Sequence, residues 1–70
     1  MLVITIDENK SKVERHFEKP SDLKKFLFHR KLFIRPKGKQ VLNGVEYKAF
    51  RVGSYCKDTT PRFHTLLTLE

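Results

Sequence analysis

Four sets of residues in this 70-residue chain are of types that do chemistry. The first is Cys56 with His64, and with His16 and His29 farther off in sequence. A thiol nucleophile needs a base beside it and a third group to orient that base. Cys56 has Lys57 as a neighbour, but no local signature surrounds it or His64. A small packed or bystander cysteine explains it, and no catalytic residue is assigned. Three scattered histidines and one cysteine lack metal-ligand spacing, so no metal is expected.

The second set is the carboxylates. Asp7-Glu8 falls in a polar stretch, and Glu14 and Glu18 share one strand face. Paired acids do acid–base work only where a cleft drives their proton affinities apart. Among fifteen Lys and Arg, surface ion pairing is the plainer expectation. The expectation is therefore a non-enzymatic protein. No Gly-rich phosphate loop is present, Gly38, Gly44 and Gly53 being isolated, and no cofactor is called for.

The third set is cationic. The net charge is +7, and it is not evenly spread. Residues 1–18 carry −1, residues 19–39 carry +7 from eight bases and one acid, and residues 40–70 carry +1. Lys24, Lys25, Lys31, Arg35, Lys37 and Lys39 supply most of the middle excess, with Phe28 among them. Cations at this density track phosphates, and a flanking aromatic stacks on an unpaired base. The same residues also suit a solvated helix face and turn, with Phe28 under the sheet edge. A fourth group, Tyr47, Arg51, Arg62 and His64 with Tyr55 and Phe50, shares a sheet face if residues 45–55 pair with 62–69. Arg and aromatic residues anchor interfaces as well as nucleic acid.

These readings point to a small nucleic-acid-binding module, for DNA or RNA, that reads backbone and shape rather than sequence. No recognition-helix, zinc-finger or RNA-sheet signature accompanies it. The alternative is a protein-interaction or inhibitor module that offers a sheet edge or aromatic face, with self-association as a homodimer. The longest apolar run is too short to cross a membrane, and the one helix needs its apolar side for the core. Met1 to Asp7 is a short apolar run ending in acid, unlike a secretory peptide. One unpaired cysteine suits a reducing compartment, so a cytoplasmic location is expected.

The elements that must position these residues are legible in outline. Residues 1–70 read as a single domain. Leu2 to Ile6 reads as a strand apolar on both faces, hence central or covered. Residues 12–18 alternate as a half-exposed strand, pairing with the first as a hairpin. Pro20-Ser21-Asp22 opens a helix over 21–31 with Ser21 as its cap, and Leu23, Phe26, Leu27 and Arg30 share one face. Leu32 to Arg35 reads as a short strand stopped by a turn at Pro36-Lys37-Gly38. Asn43-Gly44 marks a type I′ hairpin, followed by a strand over 45–55 whose alternation slips at Ala49-Phe50, as at a bulge. Cys56 to Pro61 is a loop, and Arg62 to Leu69 a last strand with Phe63, Thr65, Leu67 and Leu69 on one face. The fold class is α+β: a small antiparallel sheet of four to five strands, order ββαβββ, with one helix on a face and some curl toward a barrel.

Overall fold

The computed structural model of the chain describes residues 1–58 and 60–69. It begins with a hairpin of β1 (Leu2–Ile6) and β2 (Lys12–His16), in register from Leu2↔His16 to Ile6↔Lys12. Asp7 closes the turn: its Oδ1 accepts from the amides of Asn9 and Ser11, both at 2.9 Å. The N-terminal ammonium donates to the Phe17 carbonyl at 2.7 Å, and the Phe17 amide donates back to Met1 at 2.9 Å. β2 is an edge strand, so charge on it stays wet. β1 has a strand on either side and a core cluster on each face, so both its faces are apolar and Val3, Ile4 and Ile6 are buried.

Helix α1 (Pro20–His29) follows. Lys19, not Ser21, takes the N-cap position, with no side-chain cap bond, because Pro20 occupies the first helical turn. Proline is preorganised there and has no amide to satisfy. Leu23 and Leu27 bury the inner face. The helix ends two residues before the expected boundary. Lys31 turns into the left-handed region at φ 56°, after Arg30 at φ −95°.

The strand after the helix is longer than expected. β3 (Leu32–Leu42) runs straight through Pro36-Lys37-Gly38 instead of turning there. Its register against β4 (Val45–Ser54) shifts between Pro36 and Gly38, leaving Lys37 as the extra residue of a bulge. Two facts make this possible. β3 is an edge strand, so a missing proline amide costs no ladder bond, and Gly38 accepts φ 120°. The bulge lies on β3, opposite Phe50 and Ala49, and not in β4. The slip in β4 arises because Tyr47 and Ala49 are buried on one sheet face while Phe50 and Val52 pack on the other. Asn43 and Gly44, at φ 52° and 80°, make the expected tight hairpin.

β5 (Thr65–Thr68) inserts between β1 and β4, giving one five-stranded antiparallel sheet in the order β2-β1-β5-β4-β3, not closed into a barrel. The last strand is shorter than expected. Irregular backbone at residues 62–64 resets its alternation, so Phe63 packs on the helix side and Leu67 on the other. Leu69 lies outside the strand, half exposed.

The sheet carries a core on each face. Val3, Val52, Phe63 and Leu66 meet Leu23 and Leu27 of the helix, with Phe17, Phe26, Ile34 and Phe50 around them. Ile4, Ile6, Tyr47, Ala49 and Leu67 form the second cluster, with Leu2 and Leu42 at its margin. Leu66 and Leu67 are both fully buried, one in each cluster.

Candidate functional site

Strand alternation and the helix divide the basic segment between the two sides of the sheet. Lys24, Lys25 and Phe28 face solvent on the outer side of α1, and Phe28 is 78% exposed beside the His29 ring. Lys31 sits at the left-handed residue that leaves the helix. Arg35 and Lys37 lie on the face away from the helix. Lys39 returns to the helix side of the sheet, where its Nζ pairs with Glu46 Oε1 at 3.2 Å. The segment is therefore not one continuous surface. The fourth group is divided as well. Arg51 and His64 join Arg35 and Lys37, Arg62 lines a cleft on the helix side, and Phe50 packs toward the helix. Tyr47 is only 8% exposed within the second core cluster, so it is a packing residue and not a surface contact.

What the fold does bring together is a cationic and aromatic surface on the sheet face opposite the helix. Arg35 of β3 and Arg51 of β4 are direct cross-strand partners, both exposed. Like charges placed opposite each other repel, and neither has a carboxylate partner among the described residues. The same row continues through Thr65 and Ile6 to Lys12 on the far edge strand. Lys37, pushed out by the bulge, donates from Nζ to Thr65 Oγ1 at 3.0 Å. His64 Nδ1 meets that same hydroxyl at 2.7 Å. The Thr65 hydroxyl thus bridges Lys37 and His64.

The aromatic part is built on a glycine. Gly53 lies across from Phe33, and the Phe33 ring rests on it. A Cβ at Gly53 would come within 2.8 Å of Phe33 Cε2 and 2.9 Å of Cε1, besides meeting Cζ. The ring centroid of Phe33 is 5.0 Å from that of Tyr55, itself 72% exposed, and the Arg35 guanidinium lies 5.4 Å from the Phe33 centroid. Among strand residues, the register gives this face one carboxylate, Glu14 on the edge strand.

Phe33 was not singled out by the sequence, since a lone aromatic in a strand reads as core; its signal is the glycine opposite, visible only once the register is known. Arg15 and Arg30 were also passed over, although each occupies a position that periodicity assigns to the core side. Both guanidinium carbons lie over Phe26, at 5.0 Å and 3.9 Å from its centroid. A cation on an apolar stripe is the cue that was available.

The remaining chemistry is sparse. Cys56 is half-buried, its backbone held by Ser54: the Cys56 amide donates to Ser54 Oγ at 3.1 Å and the Ser54 hydroxyl donates to the Cys56 carbonyl at 3.0 Å. No hydrogen bond joins it to His64 among the described residues. No group of three or more His, Cys, Asp or Glu is gathered as for a metal among those residues, and no helix is long and apolar enough to cross a membrane. Of the carboxylates expected to pair on the surface, Asp7 serves the turn instead, and Glu8, Glu14 and Glu18 form no ion pair among the described residues; the pair that does form uses Glu46. No protein-family model matches the chain, and no curated protein or solved structure matches it either.

Proposed function

We propose that the protein binds single-stranded nucleic acid, without catalysis, across the sheet face that carries Phe33, Arg35, Lys37, Arg51, Tyr55 and His64. The observation that carries this reading is the Arg35–Arg51 pair. Two unneutralised guanidiniums are held opposite each other beside an aromatic pair, exposed Tyr55 and half-buried Phe33. A phosphate backbone relieves that repulsion, and unpaired bases stack on Tyr55 and the accessible part of Phe33. Every base has a stacking face, so the contact is tolerant of sequence. A reducing, cytoplasmic setting, in keeping with unpaired Cys56, belongs to the same reading.

The alternative of strand addition by a protein partner has less support. Both sheet edges carry devices that discourage it: charge along β2, and Pro36, a bulge and flanking cations on β3. The test is a titration of a fluorescent single-stranded oligonucleotide. With three phosphates neutralised, affinity is expected to fall about twentyfold between 50 and 200 mM salt. The Arg35→Glu/Arg51→Glu double variant is expected to lose binding while keeping its melting temperature. Salt-insensitive binding, or none at micromolar protein, overturns the reading. A mass that rises with concentration would instead support self-association.

A further inference from the structure

A second cationic site lies on the helix side of the sheet, separate from the Arg35–Arg51 face. Arg15 reaches it from β2, Arg30 from the residue that ends α1, and Arg62 from the segment before β5. With His29 and Pro61 they line an open cleft of about 600 Å3. A recess of about 200 Å3 shares Arg15 and Arg62 with it. Asp7 borders that recess, but its Oδ1 is taken by two backbone amides of the turn. None of the three arginines forms an ion pair with a described carboxylate.

Three like charges do not gather in one concavity for stability's sake. The scaffold nonetheless holds two of them in place. Arg15 and Arg30 both rest on the Phe26 ring, and Arg30 Nη1 donates to the Phe26 carbonyl at 3.4 Å. Phe26 is fixed in turn by Phe17, 5.4 Å away edge-on, and by Phe63, 6.4 Å away and nearly parallel. The Arg15 Nε is buried and has no hydrogen-bond partner. A buried guanidinium donor left unpaired is costly, and an anion drawn to the same guanidinium offsets part of the cost.

We propose that this cleft binds a phosphate ester or pyrophosphate group through Arg15, Arg30 and Arg62. Guanidinium forks match phosphate oxygens in pairs, and a dianion answers a cluster of three better than a single carboxylate does. The cleft is larger than a phosphate and falls within the roughly 300–1,000 Å3 of small-ligand sites, which leaves room for the group that the phosphate esterifies. The phosphate belongs either to the end of a nucleic acid strand or to a free phosphorylated small molecule. The proposal does not depend on the sheet-face reading, because the two sites share no residue.

The experiment is isothermal titration of the full chain with inorganic pyrophosphate at constant ionic strength, with succinate as the dicarboxylate control. Saturable one-to-one binding is expected for pyrophosphate and not for succinate. Arg62 is exposed, so Arg62→Ala is expected to keep the fold and weaken binding by about tenfold or more, the loss typical of a charge-assisted hydrogen bond. Arg30→Ala is expected to act the same way. The Arg35→Glu/Arg51→Glu variant is expected to bind pyrophosphate as the parent does, which separates this site from the sheet face. No saturation at millimolar pyrophosphate, equal affinity for succinate, or unchanged affinity in Arg62→Ala with a normal melting curve overturns the proposal. Comparing 5′-phosphorylated with 5′-hydroxyl oligonucleotides then identifies the source. A gain with the 5′-phosphate assigns the cleft to a strand end, and no gain alongside pyrophosphate binding assigns it to a small molecule.

Discussion

Gly53 is the residue on which the aromatic surface turns. Its missing side chain lets Phe33 lie flat against the strand and meet Tyr55. Gly53→Ala puts a methyl group where the ring now rests. The backbone there is extended and accepts alanine, so the expected effect is on the ring and not on the fold. Phe33 swings away, and oligonucleotide affinity falls by about fivefold or more, since a stacked base contributes roughly 1–3 kcal/mol. Fluorescence titration of this variant beside the parent checks it; unchanged affinity would take Phe33 out of the site. Lys31 gives a second test at this scale. It occupies a left-handed conformation that costs a side-chain-bearing residue about 1–2 kcal/mol. Lys31→Gly removes that cost at the price of a freer unfolded chain, for a net gain of about 0.5–1 kcal/mol. In a domain this small, that is a rise of roughly 2–8 °C in melting temperature.

At the level of elements, some signals in the sequence are local and others are not. Asn43-Gly44 needs only its own backbone preferences, so that hairpin is legible from two letters. The helix is legible from Leu23, Phe26 and Leu27, though not its cap, because Pro20 and Ser21 are both plausible starts and only geometry ranks them. Pro36-Lys37-Gly38 misleads for a physical reason. The residues that make a turn also make a bulge on an edge strand, and whether a strand is at the edge is a property of the whole sheet. The candidate site follows the same rule. Arg35, Lys37 and Arg51 stand out by charge alone, but their meeting depends on a register that no local pattern specifies. Leu66 and Leu67 show how strictly the short central strand is used. Adjacent in sequence, each is fully buried in a different core. Leu66→Ala and Leu67→Ala are each expected to cost about 2–5 kcal/mol. A 70-residue domain has roughly 3–10 kcal/mol in all, so either variant should lower the melting temperature, followed by circular dichroism, by roughly 10 °C or more. A mild effect from one of them would mean that its face is less well packed than the other.

At the scale of the whole molecule, the two proposed sites lie on opposite sides of one thin sheet, and each uses cations that the core does not need. The sheet-face site is shallow and lined by strands, suited to a chain passing over it. The cleft is concave and built from the ends of elements, suited to a compact group. Between them stands β5, last in chain order and central in the sheet. Val3 pairs with Thr68, partners separated by nearly the whole chain. The two hairpins, β1–β2 and β3–β4, are joined by backbone hydrogen bonds through Thr65–Thr68 and through His64 just before them, which bonds both Ile6 and Val52. During synthesis, then, each hairpin can pair within itself before the strand that welds them has been made. Until β5 inserts, β1 and β4 each present an open edge and an apolar flank that a neighbouring chain could join.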